Sequence, residues 1–526
     1  MIKVKLVFYF LLLLISNIGF SQILIPDVQW QKLYGGSNWD YINTMLQTTD
    51  SGFILACSTA SNNGDIKNNN GQIDIWIIKT DKTGTIEWQK TIGGTKTDRV
   101  VRITEGINDE YILTGLTYST DANLNPNHRK GGNAWIVKLD NIGNIKWQKV
   151  LGGSKYDYGN DIIATPDNGY LMVGGSNSRD GDLPHNAGDY DVWIVKMDAE
   201  GTILWNKTYG GSKFEAAYSV TNCIDGGYIV SCGTYSNDGQ VIGNHGDEDI
   251  WLLKIDNSGN LKWQKTYGGT KNEKPGSIQQ TADKGFILCG QTFSADGDIT
   301  LNNGEGDFWV LKLNEKGAIE WQKSYGGTNF DLARTVQIVN DTNYIVAGIT
   351  NSNNGDVKTN NGNTDCWVIK LNSVGNLLWQ KTIGGSGMDT ANYIMNTLDG
   401  GYAISGSTTS DSGGYFSNHG GTDCWLIKLA SDKLPLNEIM AEVVTNENIK
   451  VFPNYTSGLV NINLPKGLEN IQFILLDIKG RRIHFRTESS VPNYKIYFEN
   501  NTAPGIYQLN IYYNKLLSTY KIIYKP

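Results

Sequence analysis

The residues with the clearest potential for chemistry are carboxylates and amides in a polar loop that recurs along the chain. The loop reads Ser-x-Asx-Gly-Asp, three spacers, Asn-x-Gly and a final Asp, as in Ser178–Asp191 and Ser294–Asp307. Carboxylate and amide oxygens are the hard ligands that Ca²⁺ prefers, which makes calcium a candidate cofactor. Asx-turns need the same residue types without a metal. The candidate calcium ligands are Asp180, Asp182, Asp296 and Asp298.

The copies of this loop differ from one another, so ligand specificity could reside there. One copy contains Asn127-His128-Arg129, and another contains Pro184-His185. A solvated loop residue explains each histidine equally well. The sequence has no nucleophile elbow, phosphate-binding glycine loop or His/Cys metal motif, and no catalytic residue is predicted. The candidate ligand-binding residues are Asp65, Asp182, Asp298, Asp356, His128, His185, His245 and His419.

Other charged residues recur in every copy of a longer repeat, and this regularity favours a structural role over a catalytic one. A substrate meets different copies at different distances, so a group needed in all of them is needed to build the repeat. We expect the acids to accept backbone N–H groups at turns or to pair with the lysines. The acids, each four residues after a Gly-Gly pair, are Asp40, Asp98, Asp157, Glu215, Glu273, Asp331 and Asp389. Two lysine sets also recur, one of them Lys79, Lys138, Lys196, Lys254, Lys312, Lys370 and Lys428.

Tryptophan defines the repeat, because 14 of the 15 tryptophans fall at two of its positions. The spacing is 58 residues with a single step of 59, a period typical of propellers and other repeat arrays. One set is Trp30, Trp88, Trp147, Trp205, Trp263, Trp321 and Trp379. The other set, predicted to pack between repeats, is Trp76, Trp135, Trp193, Trp251, Trp309, Trp367 and Trp425.

Each repeat predicts four short strands and no helix. In one copy, 307–314 and 318–323 are two apolar strands joined by a tight turn, a weaker strand lies near Thr335–Val339, and 344–350 is the fourth. The array begins with an isolated strand at 28–32 and ends without that strand after Lys428. The fold class predicted is therefore all-β, a seven-bladed β-propeller of four-stranded antiparallel blades closed by its N-terminal strand.

Chain direction in such a blade places alternate connections on the same face. The long polar loops and the Gly-Gly loops should therefore share one face, which is the better binding surface. The repeats resemble kelch and related Trp-containing propeller repeats, with Asp249-Ile250-Trp251, Trp263 and Tyr228-x-x-x-Cys232-Gly233 as matching positions. They differ from kelch repeats in carrying Gly-Gly after the second Trp strand, as at Gly210-Gly211.

Charge and cysteine placement narrow the function classes. The net charge of -8 and lysines spread one per strand exclude a basic nucleic-acid footprint. The cysteines occupy equivalent or isolated positions of the repeat, too far apart to bridge, and are expected to be small buried strand residues. A monomer without a cofactor other than calcium is expected.

Both ends of the 526-residue chain predict export. Two lysines, an apolar run from Leu6 to Ile15 and small residues before a cleavage point near Ser21 are typical of a secretory signal peptide, with no later membrane span. The predicted organisation is a signal peptide at 1–21, a propeller at 22–429, a linker at 430–448 and a C-terminal β-sandwich domain at 449–526.

The C-terminal segment resembles the type IX secretion sorting domain of Bacteroidetes. Three motifs in order carry the resemblance, in the stretches 451–458, 473–481 and 505–511, with Pro453-Asn454-Tyr455 where Pro-Asn-Pro is usual. The resemblance implies the type IX machinery as a partner and a secreted or outer-surface location. An accessory β-domain is the alternative.

Three functions are compatible with this organisation. The first is a binding or adhesion module for a glycan or a protein. The second is an enzyme, either a glycan-active hydrolase or lyase or a quinoprotein-like oxidoreductase, which should bring two or three blade-specific polar residues to the central channel. The third is a passive surface-layer or spacer protein. Regular blades without a singular acid pair favour the first.

Overall fold

The computed structural model describes residues 25–432 and 449–525, except for 107–108, 122–130, 340–342, 412–417, 454, 466–470, 478–482, 484, 491, 500–501, 503 and 514–515. The predicted signal peptide and most of the predicted linker lie outside the described residues. The chain divides into two compact units, one of Ile25–Ser431 and one from Asp432 onward. No helix among the described residues is long and apolar enough to span a membrane.

The described strands of the first unit form seven four-stranded antiparallel sheets, called blades 1–7 in chain order, which confirms the predicted all-β fold class. The first strands are Asp40–Gln47, Asp98–Glu105, Asp157–Ala164, Glu215–Asn222, Glu273–Gln280, Asp331–Val339 and Tyr393–Asn396. The second strands are Phe53–Thr59, Tyr111–Thr117, Tyr170–Ser176, Tyr228–Thr234, Phe286–Thr292, Asn343–Thr350 and Tyr402–Thr408.

The third and fourth strands carry the two tryptophan positions of the repeat. The third strands are Asp74–Thr80, Asn133–Leu139, Asp191–Met197, Asp249–Ile255, Asp307–Leu313, Asp365–Leu371 and Asp423–Leu429. The fourth strands of blades 1–6 are Ile86–Ile92, Ile145–Leu151, Ile203–Tyr209, Leu261–Tyr267, Ile319–Tyr325 and Leu377–Ile383. The fourth strand of blade 7 is Val28–Tyr34, from the other end of the unit.

The first strands surround a central channel. Each contacts the first strand of the next blade, and that of blade 7 contacts blade 1, so the strands form a closed circuit. The third strands are buried along their whole length, because both faces of the sheet lie against neighbouring blades. The fourth strands, on the outside, consist mostly of half-buried and exposed residues.

The circuit is closed by pairing between the two ends of the repeat array, as predicted. Val28–Tyr34 pairs antiparallel with Asp423–Leu429. Trp425 Nε1 donates to Gln31 Oε1 at 3.2 Å, the same Trp-to-Gln bond that Trp76 makes within blade 1 at 2.7 Å. The N-terminal strand therefore serves as the fourth strand of blade 7, with the same pairing and the same Trp-to-Gln hydrogen bond as in blade 1. It covers a strand edge that would otherwise be open.

The third-strand tryptophans form the core between blades. Trp251 is fully buried and shares a cluster with Val173 and Ile194 of the preceding blade. The fourth-strand tryptophans are mostly half-buried, and Trp205 Nε1 donates to the carbonyl of Asn257 in the next blade at 3.0 Å. The predicted packing of tryptophan between blades is thus confirmed.

The six cysteines are buried and free, also as predicted. The expectation that they are too far apart to bridge is wrong for Cys57 and Cys424, whose side chains meet in the core between blades 7 and 1.

The weaker strand expected near Thr335–Val339 begins earlier, at Asp331. A bulge between Ala333 and Thr335 interrupts the alternation that the sequence pattern relies on, which explains the difference. The equivalent bulge recurs in other blades, for example between Gly159 and Asp161. Consequently the blade acid is the first residue of this strand.

The described strands of the second unit form two four-stranded sheets around one apolar core, in agreement with the predicted β-sandwich. Val460, Ile496, Leu509 and Ile522 lie at its centre, each no more than 1% exposed. The strands are Lys450–Phe452, Tyr455–Thr456, Leu459–Asn463, Gln472–Asp477, Phe485–Ser490, Asn493–Phe498, Gly505–Tyr513 and Leu516–Tyr524.

Replacement of Trp251 by Ala is expected to destabilise the propeller by about 3–5 kcal/mol, because it removes a large ring from a core shared by two blades. The matched control is Trp205→Ala, which removes a half-buried ring and should cost clearly less. Denaturant unfolding followed by circular dichroism measures both. Equal losses would contradict the role of the third-strand tryptophan between blades.

Candidate functional site

The long polar loops and the Gly-Gly loops lie against each other on one face, called the loop face, as the chain direction predicts. Asp65 Oδ2 accepts the N–H of Gly35 at 3.1 Å. The other three candidate aspartates repeat this contact: Asp182 with Gly152 at 3.0 Å, Asp298 with Gly268 at 3.2 Å and Asp356 with Gly326 at 3.2 Å. The structure therefore gives each of them a structural bond in its own pair of loops.

The candidate calcium ligands are also engaged by the protein. Asp180 Oδ1 accepts the N–H of Ser154 at 2.7 Å. Asp296 accepts both the N–H and the hydroxyl of Thr270 at 2.8 Å, and the N–H bond lowers the pKa of its carboxyl. Within the part of the chain that the structure describes, no group of three or more His, Cys, Asp or Glu could hold a metal ion. Calcium binding at these residues stays a prediction.

The candidate histidines are distributed over separate loops. His245 Nδ1 lies 2.7 Å from Asp249 Oδ2, and His419 Nδ1 lies 3.2 Å from Asp423 Oδ2. His185 is an exposed loop residue. His128 lies outside the described residues. The described histidines accompany the aspartate that begins a third strand, and they do not converge on one site.

The repeated acids of the Gly-Gly loops have the turn role that the sequence predicts. Asp40 Oδ2 accepts the N–H of Gly36 and the hydroxyl of Ser61, both at 2.8 Å. The lysines of the third strands bind other acids at the opposite face, as in the 2.8 Å ion pair of Lys79 with Asp50. The acids therefore hold the turns and do not pair with these lysines.

A second buried carboxylate lies beside six of the seven Gly-Gly loops, and its burial was not predicted. Asp307 Oδ1 is buried without a hydrogen-bond partner, and burial together with the charges of Asp331 and Asp356 raises the pKa of Asp307 to about 7. Burial raises the pKa of Asp74 and Asp365 to about 6 in the same way. Blade 2 carries the neutral Asn133 at this position.

Six aromatic rings form a continuous arc over blades 2–4 on the loop face, which the sequence reasoning also missed. Consecutive ring centroids along it lie 5.1–6.4 Å apart. All six residues are half-buried or exposed. The residues of this aromatic arc are Tyr118, Tyr156, Tyr158, Tyr190, Phe214 and Tyr235.

The central channel brings together polar residues that differ from blade to blade. Arg102 Nε lies 3.2 Å from Asp161 Oδ1, and its guanidinium stacks 4.5 Å from the ring centre of Tyr393. Asp161 also accepts the N–H of Val220 from the next blade at 2.9 Å. These residues line a cavity of about 480 Å³, together with Arg334 and others from the first strands. That volume lies in the range of small-molecule sites.

Comparison with solved structures finds propellers at low sequence identity. YCF48 bound to D1 peptide shares 10% identity with a TM-score of 0.40, over 79% of this chain and 100% of that one. The PQQ-bound aldose sugar dehydrogenase of Streptomyces coelicolor shares 10% with a TM-score of 0.34, over 65% and 98%. The Synechocystis apocarotenoid oxygenase shares 10% identity with a TM-score of 0.34, over 70% of this chain and 95% of that one. No family model and no curated protein matches the chain.

The buried aspartates predict a pH-dependent stability. The pKa of Asp307 is higher in the folded chain than in the unfolded one, so its favourable contribution is present at low pH and is lost as the pH rises through about 7. We expect a lower melting temperature at pH 8 than at pH 5.5. Asp307→Asn should raise the melting temperature at pH 8 by roughly 1–2 °C for a unit of this size. Thermal melting followed by circular dichroism measures this.

The control is Asp189→Asn, the same chemical change at an exposed loop position. If it raised the melting temperature at pH 8 as much as Asp307→Asn does, burial of Asp307 would not be the cause.

Proposed function

We propose that the protein is an exported glycan-binding module that uses the loop face of its propeller. The observation that carries the proposal is the aromatic arc. Aromatic side chains combine a large apolar surface with, in tyrosine, a hydroxyl that hydrogen-bonds. A series of such rings can stack on the C–H faces of successive sugar units while the hydroxyls contact the sugar hydroxyls.

The arc includes positions at which the repeat does not require an aromatic residue. Tyr156 and Phe214 directly precede a blade acid, and the same position holds Thr97 in blade 2 and Asn272 in blade 5. An aromatic ring is therefore not required to build a blade there. Tyr235 is oriented by its hydroxyl, which donates to Glu248 Oε2 at 3.0 Å. Ordered, half-exposed rings suit binding of an extended chain with little loss of side-chain entropy.

An enzyme is the second candidate, because blade-specific polar residues do meet in the central channel. Glycoside hydrolysis in most families uses two carboxyl groups about 5–10 Å apart. Among the described residues that line the channel cavity, Asp161 is the one carboxylate, and it is held by Arg102 and by two backbone N–H groups. This chemistry supports ligand binding more than hydrolysis.

Export through the type IX machinery is the second part of the proposal. It is supported by the N-terminal signal-peptide pattern and by a separate C-terminal unit with two four-stranded sheets. A kelch-like character of the blades is proposed on the Asp-x-Trp and Tyr-x-x-x-Gly strands alone. The final location, released or attached to the outer surface, follows from how the C-terminal domain is processed.

Alanine in place of Tyr156 or Tyr190 is expected to weaken glycan binding about tenfold, equivalent to about 1.4 kcal/mol, because a stacking ring is lost. Glycans that bind are first identified on an array, and affinities are then measured by titration calorimetry. Tyr156→Phe, which keeps the ring, is the control and should retain most of the affinity. Alanine variants that bind as tightly as the unchanged protein would contradict a role for the arc.

Removal of residues 449–526 is expected to keep the protein inside cells that carry a type IX system, because the sorting domain is lost. Immunoblots of medium, cell surface and periplasm measure this, with the full chain in a strain lacking the system as the control. Equal appearance of the full and shortened chains outside the cell would show that this segment is not a sorting signal.

A further inference from the structure

One position of the first strand has a structural role in three blades. It is the third residue after the blade acid, and there an asparagine side chain crosses to the next first strand. Asn43 Nδ2 donates to the carbonyl of Val100 at 2.6 Å, and Asn160 Nδ2 donates to that of Ala217 at 2.8 Å. Asn392 Nδ2 does the same to Ile42 at 2.6 Å. These bonds connect the strands that surround the channel.

In blade 6 the same position holds Arg334, which makes no such bond. Its side chain lines the channel cavity and has no hydrogen bond or ion pair with any residue in the described ranges. Desolvation lowers the pKa of its guanidinium, and no acid in the described part of the chain opposes this effect. Arg334 stands where other blades use a connecting amide, and its side chain is exposed to the water of the channel. Because no acid among the described residues pairs with it, its guanidinium is available to an anion that enters the cavity.

The charges around the cavity do not balance. Arg102, Arg334 and Lys274 line it, and Asp161 is the one acidic residue among the described lining residues. Three cations and one carboxylate leave two positive charges. Arg102 is the cation that Asp161 neutralises at 3.2 Å, and its ring contact with Tyr393 fixes it further. Lys274 lies within electrostatic range of the buried Glu248, so the unbalanced charge resides mainly on Arg334.

The first strands of blades 5 and 6 approach closely beside Arg334. The corresponding residue of blade 5 is Gly276, and a Cβ atom there would lie 2.9 Å from the Arg334 carbonyl oxygen and 3.1 Å from Cys289 Sγ. The close approach of the two strands thus requires glycine, and the space available to a ligand is the channel cavity that Gly276 and Arg334 both line. The remaining wall includes Gln279 and Gln337, whose amides are hydrogen-bonded to each other at 2.8 Å.

We propose that the central channel binds the carboxylate of an acidic sugar unit, with Arg334 as the principal cation and Lys274 in support. The planar guanidinium matches a carboxylate with two parallel hydrogen bonds. Amide and hydroxyl groups of the channel wall are suited to the sugar hydroxyls. This inference rests on the proposed glycan-binding function and specifies its ligand as a glycan that contains uronic acid.

The test is titration calorimetry of the mature chain with trigalacturonate and with its methyl ester, which has the same backbone but no charge. We expect the acid to bind at least tenfold more tightly than the ester. Arg334→Gln should remove that difference and leave binding of the ester unchanged, and Arg334→Lys should keep part of it. Lys316→Gln, which removes one positive charge from an exposed turn on the opposite face, is the matched control and should change neither affinity.

The outcomes separate this inference from the proposed function. Equal affinities for acid and ester, or an Arg334→Gln variant that still prefers the acid, would overturn the channel site and leave glycan binding at the arc intact. Loss of ester binding in Tyr156→Ala supports the arc independently of Arg334. Free acetate bound as tightly as trigalacturonate would overturn the assignment to a sugar, because the channel would then recognise the carboxylate alone.

Discussion

The pairing of Val28–Tyr34 with Asp423–Leu429 is the interaction on which the rest of the first unit depends. It joins residues almost 400 positions apart and gives the last sheet its fourth strand. Without it the two ends of the array would expose strand edges and the blades could separate as an open stack. The channel between the first strands and the common loop face both exist because the circuit is closed.

Closure also separates the residues that build the propeller from those available for recognition. Groups repeated in the blades, such as the third-strand tryptophans and the Gly-Gly acids, are buried and bonded within or between blades. Groups that differ between blades lie in the channel and on the loop face. The aromatic arc and Arg334 belong to this second class. Recognition in this fold is thus expected at departures from the repeat, since every repeated group already has a structural task.

The sequence predicts the architecture well because the same pattern of strands and turns recurs in every repeat. The tryptophan spacing, the turns and the unmatched end strands are local signals, and together they give the strands and their closure. The candidate site was predicted less well. The carboxylates of Asp65 and its equivalents predict a ligand site, but they bind the N–H groups of Gly-Gly loops, as Asx residues in turns often do.

The arc and the channel cluster could not be predicted from local pattern, because their members come from different blades. Arg102 and Asp161 are 59 residues apart, which is one repeat, and they meet only because equivalent positions of neighbouring first strands face one axis. A signal was nevertheless present. The third residue after the blade acid is Asn at 43, 160 and 392, and it is a charged residue in one copy alone, at Arg334.

Hydrogen exchange of the N-terminal strand tests the closed circuit most directly. Amides of 28–34 in the mature chain, followed by mass spectrometry, should be protected to the same degree as those of the other fourth strands, such as 203–209 and 261–267. Protection should persist until the whole unit unfolds, since opening this strand opens the circuit. Rapid exchange of 28–34 while the other fourth strands remain protected would contradict the account.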